Sequence, residues 1–323
     1  MAESTSESTQ EEEVRFFKRT YYLIFGNPSK GEGLEINGDE DKNEGLQISF
    51  RVRKFLNNSE QPNLMELEVT NLSEENINYI KKETETLSLS VGYGGNNLLL
   101  FTGNILEVES AFHKGGSPDK VTKIICTPSS GIIYNPSLSK TFPAGTTVKA
   151  VVDYVVSTDK DLVKSSYNSV AMSKKFPFGY TVHGTGKQVL DNLSRDFNFT
   201  YRIDQNRLSI SDHGEYQSKS TKGNAFLLTW ETGLKKGPTY ASPDGKKISL
   251  SANRKKTSQE KLKEKHAGIK CTAFLNPLLV PAAAIKLEGT DHDGVYRISG
   301  SDFTGDWRSS DKWDVELYCT KID

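Results

Sequence analysis

The sequence predicts a mainly β protein with minor α (α+β), in which two small antiparallel β-barrels are separated by a helix-plus-hairpin unit. Three observations carry this. Period-two alternation recurs from Leu46 to Thr127, two amphipathic helical stripes then interrupt it, and short strand-like runs resume at Ala225.

In chain order, residues 1–19 form an acidic, Ser/Thr-rich arm opening on "MAESTSESTQEEE", a composition that resists packing. A first barrel is expected over 20–128. In "LQISFRVRKF", Leu46, Ile48, Phe50 and Val52 share one face and Gln47, Ser49, Arg51 and Arg53 the other. "LMELEVTNLSEENINYI" alternates through Met65, Leu67 and Val69, turns at Asn71 and enters a helix capped by Ser73. "LSLSVGY" and "NLLLFTGNILEVES" flank the turn "GGNN", and "KVTKIICT" follows as a further strand.

A connecting region is expected over 129–213. Val148, Val151, Val152 and Val155 lie at helical spacing behind Thr146 or Thr147 as cap. Thr185 caps a second stripe of Val189, Leu190, Leu193 and Phe197, and "FTYRIDQNRLSIS" reads as two strands hinged at Asp204 to Asn206. Over 214–323 a second barrel is expected from "FLLTW", "KISLSA", "IKCTAFL", "AAIKLEG", "GVYRISGSDF" and "KWDVELYCT". Its last hairpin, with a loop carrying Gly305, Asp306 and Trp307 and an inward row of Trp313, Val315 and Leu317, is expected to complete that barrel, since open strand edges are a liability.

Composition narrows the function. The chain has 323 residues, 35% hydrophobic and 10% aromatic, enough for two or three cores. A net charge of -1 supplies no field for a polyanion, so proteins are the expected partners. Cys126, Cys271 and Cys319 fit neither a disulfide framework nor a zinc site and read as reduced, buried thiols. No run is long and apolar enough to cross a bilayer, and the acidic start does not resemble a signal peptide, so a soluble protein made in the cytosol is expected.

Several stretches invite a chemical reading and do not carry it. "GYTVHGTGKQ" has Thr185 where a phosphate loop needs lysine, and Lys187 is followed by Gln188 rather than by a hydroxyl residue. "DHDG" at Asp291 to Gly294 uses the letters of a turn, with no second ligand cluster. His113, His183, His213 and His266 are isolated from any nucleophile setting, and no carboxylate pair is singled out. The run "KKISLSANRKKTSQEKLKEKHAG", residues 246–268, carries eight Lys and Arg against two Glu. Without interleaved aromatics it reads as a solvated loop where a partner could dock. No catalytic, cofactor-binding or metal site is therefore assigned.

The order of segments resembles the bacteriophage tail baseplate hub proteins, including the late-control D type, which are related to the hub part of secretion-system spike proteins. The resemblance rests on "MELEVTNLSEENINYI", with Asn71, Leu72 and Ser73, and on "LLLFTGNILEVES". It continues through "FPFGYTVHGTGKQVLDNLSRDFNFTYRIDQNRLSIS", with Gly179 and Tyr180. Its last part is "WETGLKKGPTY" with Thr232, Gly233 and Leu234, "IKCTAFLNPLLVPAAAIKLEG" with Asn276 and Pro277, and the closing segment with Gly305, Asp306 and Trp307. The match spans most of residues 20–320. Two departures are Pro281-Ala282-Ala283, where relatives often show arginine, proline and glycine, and a basic insert from Arg254 to Lys265.

The resemblance implies two tube-type barrels per chain and a homotrimer, so that three chains make a pseudo-sixfold ring matching a tail tube on one side and a threefold spike on the other. Implied partners are the tail-tube protein, the central spike protein, the tape-measure protein and other baseplate proteins. DNA would pass transiently, without specific nucleic-acid binding and without membrane insertion. The implied location is the virion's tail baseplate, after synthesis in the host cytoplasm, and the role is structural, with no catalysis and no cofactor. The alternative is a tail-associated cell-wall hydrolase or carbohydrate-binding β-protein, which would need a domain of its own beyond the two barrels and the unit between them.

Overall fold

A computed structural model of the chain describes residues 17–27, 32–56, 63–112, 118–134, 137–212, 225–241, 268–309 and 311–322. The first stretch forms Arg19–Asn27 (β1), Glu32–Asp39 (β2), Ile48–Phe55 (β3), Leu64–Thr70 (β4), Glu74–Glu83 (α1), Thr86–Tyr93 (β5), Asn96–Phe112 (β6) and Lys120–Thr127 (β7). Alternation decides burial here. Ile48, Phe50 and Val52 on β3 and Met65, Leu67 and Val69 on β4 are buried, while Arg51 and Glu68 face solvent. Gly94 and Gly95, at φ 58° and 88°, make the tight turn from β5 to β6, a backbone that favours residues without a Cβ.

The middle stretch forms Ser130–Tyr134 (α2), Leu138–Phe142 (β8), Val148–Ser157 (α3), Val163–Asn168 (β9), Tyr180–Gly184 (β10), Gly186–Phe197 (α4), Phe199–Asp204 (β11) and Arg207–Asp212 (β12). The valine stripe of α3 is fully buried against Val189, Leu190 and Leu193 of α4 in a core that also holds Phe199, Leu208 and Ile210. Asn198, in the left-handed region, ends α4, and Gln205 and Asn206, both at positive φ, turn β11 into β12. This three-stranded sheet takes β9 as a parallel neighbour of β12, so it is not purely antiparallel.

The last stretch forms Phe226–Leu228 (β13), Leu234–Ala241 (β14), Gly268–Phe274 (β15), Ala284–Leu287 (β16), Gly294–Asp306 (β17) and Trp313–Lys321 (β18). "FLLTW" is cut short at Leu228, because Thr229 and Thr232 bond into a turn that leaves Trp230 56% exposed. The stretch "KISLSA" lies outside the described residues. β13 runs parallel to β16, a second departure from the antiparallel expectation.

First and last stretches share one sheet, ordered β14-β15-β18-β17-β3-β4-β7-β6-β5-β1-β2, with β16 also on β17 and β13 on β16. Among the described residues this path does not close on itself. One hydrophobic core runs through both ends, from Tyr21, Leu23 and Phe25 to Trp313, Val315 and Leu317. The closing hairpin is thus a junction. β17 pairs with β18 along one edge, while on the other Gly294–Arg297 pair with β16 and Gly300–Asp306 pair with β3. A register shift between Ile298 and Gly300 marks the changeover.

Candidate functional site

The residues singled out in the sequence do not converge on one cleft; several of them build the junction where β17 crosses from the last stretch to the first. Gly305 and Asp306, expected in a loop, are the final residues of β17, because pairing with Phe50 and Ser49 of β3 carries the strand further. Gly305 lies opposite Phe50, whose ring comes within 2.2 Å of where a Cβ would stand. Gly300 makes the same space for Phe55, also at 2.2 Å. Each absent side chain on β17 is filled by an aromatic ring from β3.

Asp306 accepts from Gln47 Nε2 at 2.7 Å, its carbonyl accepts from Arg19 at 3.4 Å, and Trp307 N–H donates to Ile48 O at 2.9 Å. The Trp307 indole, 6% exposed, meets Tyr21 edge-on at 4.7 Å and Trp313 at 6.1 Å. It therefore packs between the first and last stretches rather than beneath the last alone. Arg51 clamps Asp302 across the same seam, Nε to Oδ1 at 3.0 Å and Nη2 to Oδ2 at 2.5 Å. That hydrogen-bonded carboxylate raises the Arg51 pKa further. Burial pushes the Tyr21 hydroxyl up to about 12 while it donates to Leu46 O at 2.7 Å.

Thr232, Gly233 and Leu234 lead into β14, which β15 and β18 separate from this seam: Thr232 Oγ1 donates to Leu227 O at 2.9 Å, and Gly233 O accepts from Phe274 N at 2.8 Å. Asn276 Oδ1 takes Leu278 N–H at 3.0 Å and starts the turn after β15, with Pro277 buried in it. Asn71, Leu72 and Ser73 stand elsewhere. Asn71, at φ 59°, bonds Asp119 and Lys120 and so ties β4 to β7, Leu72 enters the core, and Ser73 caps α1. Gly179 and Tyr180 belong to the middle unit, where Tyr180 stacks on Phe176 at 4.2 Å.

A second contact was not foreseen. The β11–β12 turn docks on the large sheet through buried Lys54, whose Nζ meets Asp204 Oδ1 at 2.8 Å. Around it Asn63 donates to Ile203 O at 3.2 Å, Arg202 to Pro281 O at 2.8 Å and Arg297 to Thr200 Oγ1 at 3.3 Å. Burial lowers the Lys54 pKa despite its partner; burial also works to raise that of Asp204, but Lys54 and Arg202 outweigh it and hold the carboxyl low. One sequence signal was available: Lys54 falls on the same strand parity as Val52 and Phe50. The unusual Pro281–Ala283 stretch meets this dock, and Ala282 takes a φ of 73°.

The stretches dismissed on sequence have structural duties. Thr185 and Gln188 exchange a capping box at the start of α4, and Lys187 pairs with Asp191. Asp293 spends both carboxylate oxygens on Gly289 and Thr290, and these backbone bonds keep its pKa low. His183 lies on β10; His113, His213, His266 and most of the basic run lie outside the described residues. The three cysteines are buried and unbridged, and burial raises the thiol pKa of Cys126 and Cys319.

The fold resembles those of solved phage tail proteins and of a component of the type VI secretion system. It resembles the 43 kDa tail protein of prophage MuSo2 from Shewanella oneidensis at a TM-score of 0.60 and 11% identity, over 94% of this chain and 97% of that one. The tail protein of Neisseria meningitidis MC58 gives the same TM-score, identity and coverage. The E. coli c3393 protein, described as a component of the type VI secretion system with structural similarity to the T4 tail proteins gp27 and gp5, matches at a TM-score of 0.56 and 13% identity, over 86% of this chain and 74% of that one. No family model matches the chain, and no curated protein matches its sequence.

Proposed function

We propose that this protein is a structural component of a phage-type tail, a baseplate hub that starts the tail tube and joins it to the central spike. The observation that carries the reading is a similarity that spans nearly the whole of this chain and nearly the whole of two tail proteins. A likeness confined to one barrel would speak only for a common module.

In this reading the chain divides into two tube-type barrels, 20–128 and 214–323, with the unit 129–213 between them. Three chains form a ring that offers six related surfaces to the tube and three identical ones to the spike, with a channel for DNA. Tube, spike, tape-measure and neighbouring baseplate proteins are its partners, and it performs no catalysis. The seam supports the reading, because glycine–aromatic pairs and Trp307 lock both ends of the chain into one body, as a load-transmitting joint requires.

Co-expression with the central spike protein of the same tail, followed by size-exclusion chromatography, tests the proposal: one co-eluting complex is expected, and separate elution of two folded proteins contradicts it. A peptidoglycan turbidity assay covers the hydrolase alternative. Clearing that disappears on acid-to-amide changes would replace the structural reading.

A further inference from the structure

The two hydrophobic cores share no residue. The larger draws its buried side chains from positions 21–126 and 228–319, the smaller from 132–210. What joins the two bodies is polar, and the parity of β11 shows how. Phe199, Tyr201 and Ile203 turn into the smaller core. On the opposite face Thr200 accepts from Arg297, Arg202 donates to the Pro281 carbonyl and Asp204 meets Lys54 Nζ at 2.8 Å. A second polar patch lies where the chain enters the unit: Asn104 Nδ2 donates to Asp161 at 3.2 Å, and Asn104 Oδ1 accepts from Ser130 N–H at 3.4 Å. Lys54, Asn104, Ser129, Thr200 and Arg297 are all buried.

An apolar contact would weld the two bodies, because parting it exposes hydrophobic surface to water. A polar contact exchanges its bonds for bonds to water and opens at a small net cost. Parting Lys54 from Asp204 also returns both ions to solvent together, so neither is left charged in a dry interior. Polar interfaces between bodies of one chain accordingly permit relative motion.

The link between the bodies is short. β7 ends at Thr127 and α2 begins at Ser130, which leaves Pro128 and Ser129 between them. Ser129 takes a φ of 52°, a region that residues with a Cβ seldom occupy, and its N–H donates to Asn206 Oδ1 at 2.8 Å. The β11–β12 turn thus carries Asp204 to the dock and Asn206 to the link. We propose that residues 130–212 form a hinged body, latched to the large sheet by Lys54 and Asp204, that swings out about Pro128 and Ser129 with both cores intact. The latch does not depend on the hub reading.

The test is thiol accessibility in the folded full chain, with N-ethylmaleimide as the probe and peptide mass spectrometry as the readout, each rate divided by that of the same thiol in denaturant. Thr200→Cys and, separately, Ser129→Cys place a thiol between the bodies. Val151→Cys places one inside the smaller core, and the native Cys126, Cys271 and Cys319 report on the larger. Both thiols between the bodies are expected to react at least about tenfold faster than the core thiols, as a sub-global opening requires. Adding Asp204→Asn to Thr200→Cys is expected to speed that thiol by about tenfold or more. Dock thiols protected as strongly as the core thiols would show one cooperative body and overturn the hinge. A Val151→Cys thiol as reactive as the dock thiols would show that the unit unfolds instead of swinging. Labelling at Thr200→Cys that ignores Asp204→Asn would overturn the ion pair as the latch.

Discussion

Gly305 sits opposite Phe50, and the space a methyl group would need is taken by a ring that is only 3% exposed and rests on Trp313 at 5.4 Å. Because the ring cannot swing into solvent, Gly305→Ala is expected to destabilise the protein by about 1–3 kcal/mol, the usual cost of overpacking, as a lowered denaturant midpoint. Trp307→Ala opens a cavity at the same seam and is expected to cost about 3 kcal/mol or more. At the dock, Asp204→Leu takes the carboxylate away from buried Lys54 and is expected to cost about 3–5 kcal/mol, more than Lys54→Met, which leaves Asp204 beside Arg202; equal denaturant midpoints for the two variants would show that Lys54 does not depend on Asp204. The depressed carboxyl of Asp204 has a pH signature. Its contribution is present above the unfolded carboxyl pKa of about 3.9 and is lost as pH falls through the lower folded value, so Asp204→Asn should flatten that acid limb. An unchanged limb would assign acid sensitivity to other carboxylates.

Among the elements, α4 offers the cleanest local test. Thr185→Ala removes the hydroxyl that accepts Gln188 N–H, and with it half of the capping box, for an expected loss of about 1 kcal/mol in thermal or denaturant stability. This helix was legible because Val189, Leu190 and Leu193 form a stripe behind a capping residue. β3 and β4 were legible for the corresponding reason, a strict change of polarity at every step. β1 was not, since "YYLIF" is apolar on both faces and gives alternation nothing to contrast. β14 was not legible as a strand, because Gly237 and Pro238 imitate a chain reversal when they in fact bulge an edge strand. The Gly-Asp-Trp segment was legible as a motif, but its purpose was not: the ring that fills Gly305 comes from Phe50, which is remote in sequence.

At the scale of the molecule, the closing hairpin welds the last stretch to β3 of the first, while a smaller unit with its own core hangs on the seam through Lys54, Asn63 and Arg297. The central claim is assembly into a ring, and the most direct measurement is the mass of the purified wild-type chain by light scattering, with and without the central spike protein of the same tail. The account predicts a species near three times 35.9 kDa from this chain in at least one of the two samples. A strict monomer in both would contradict it.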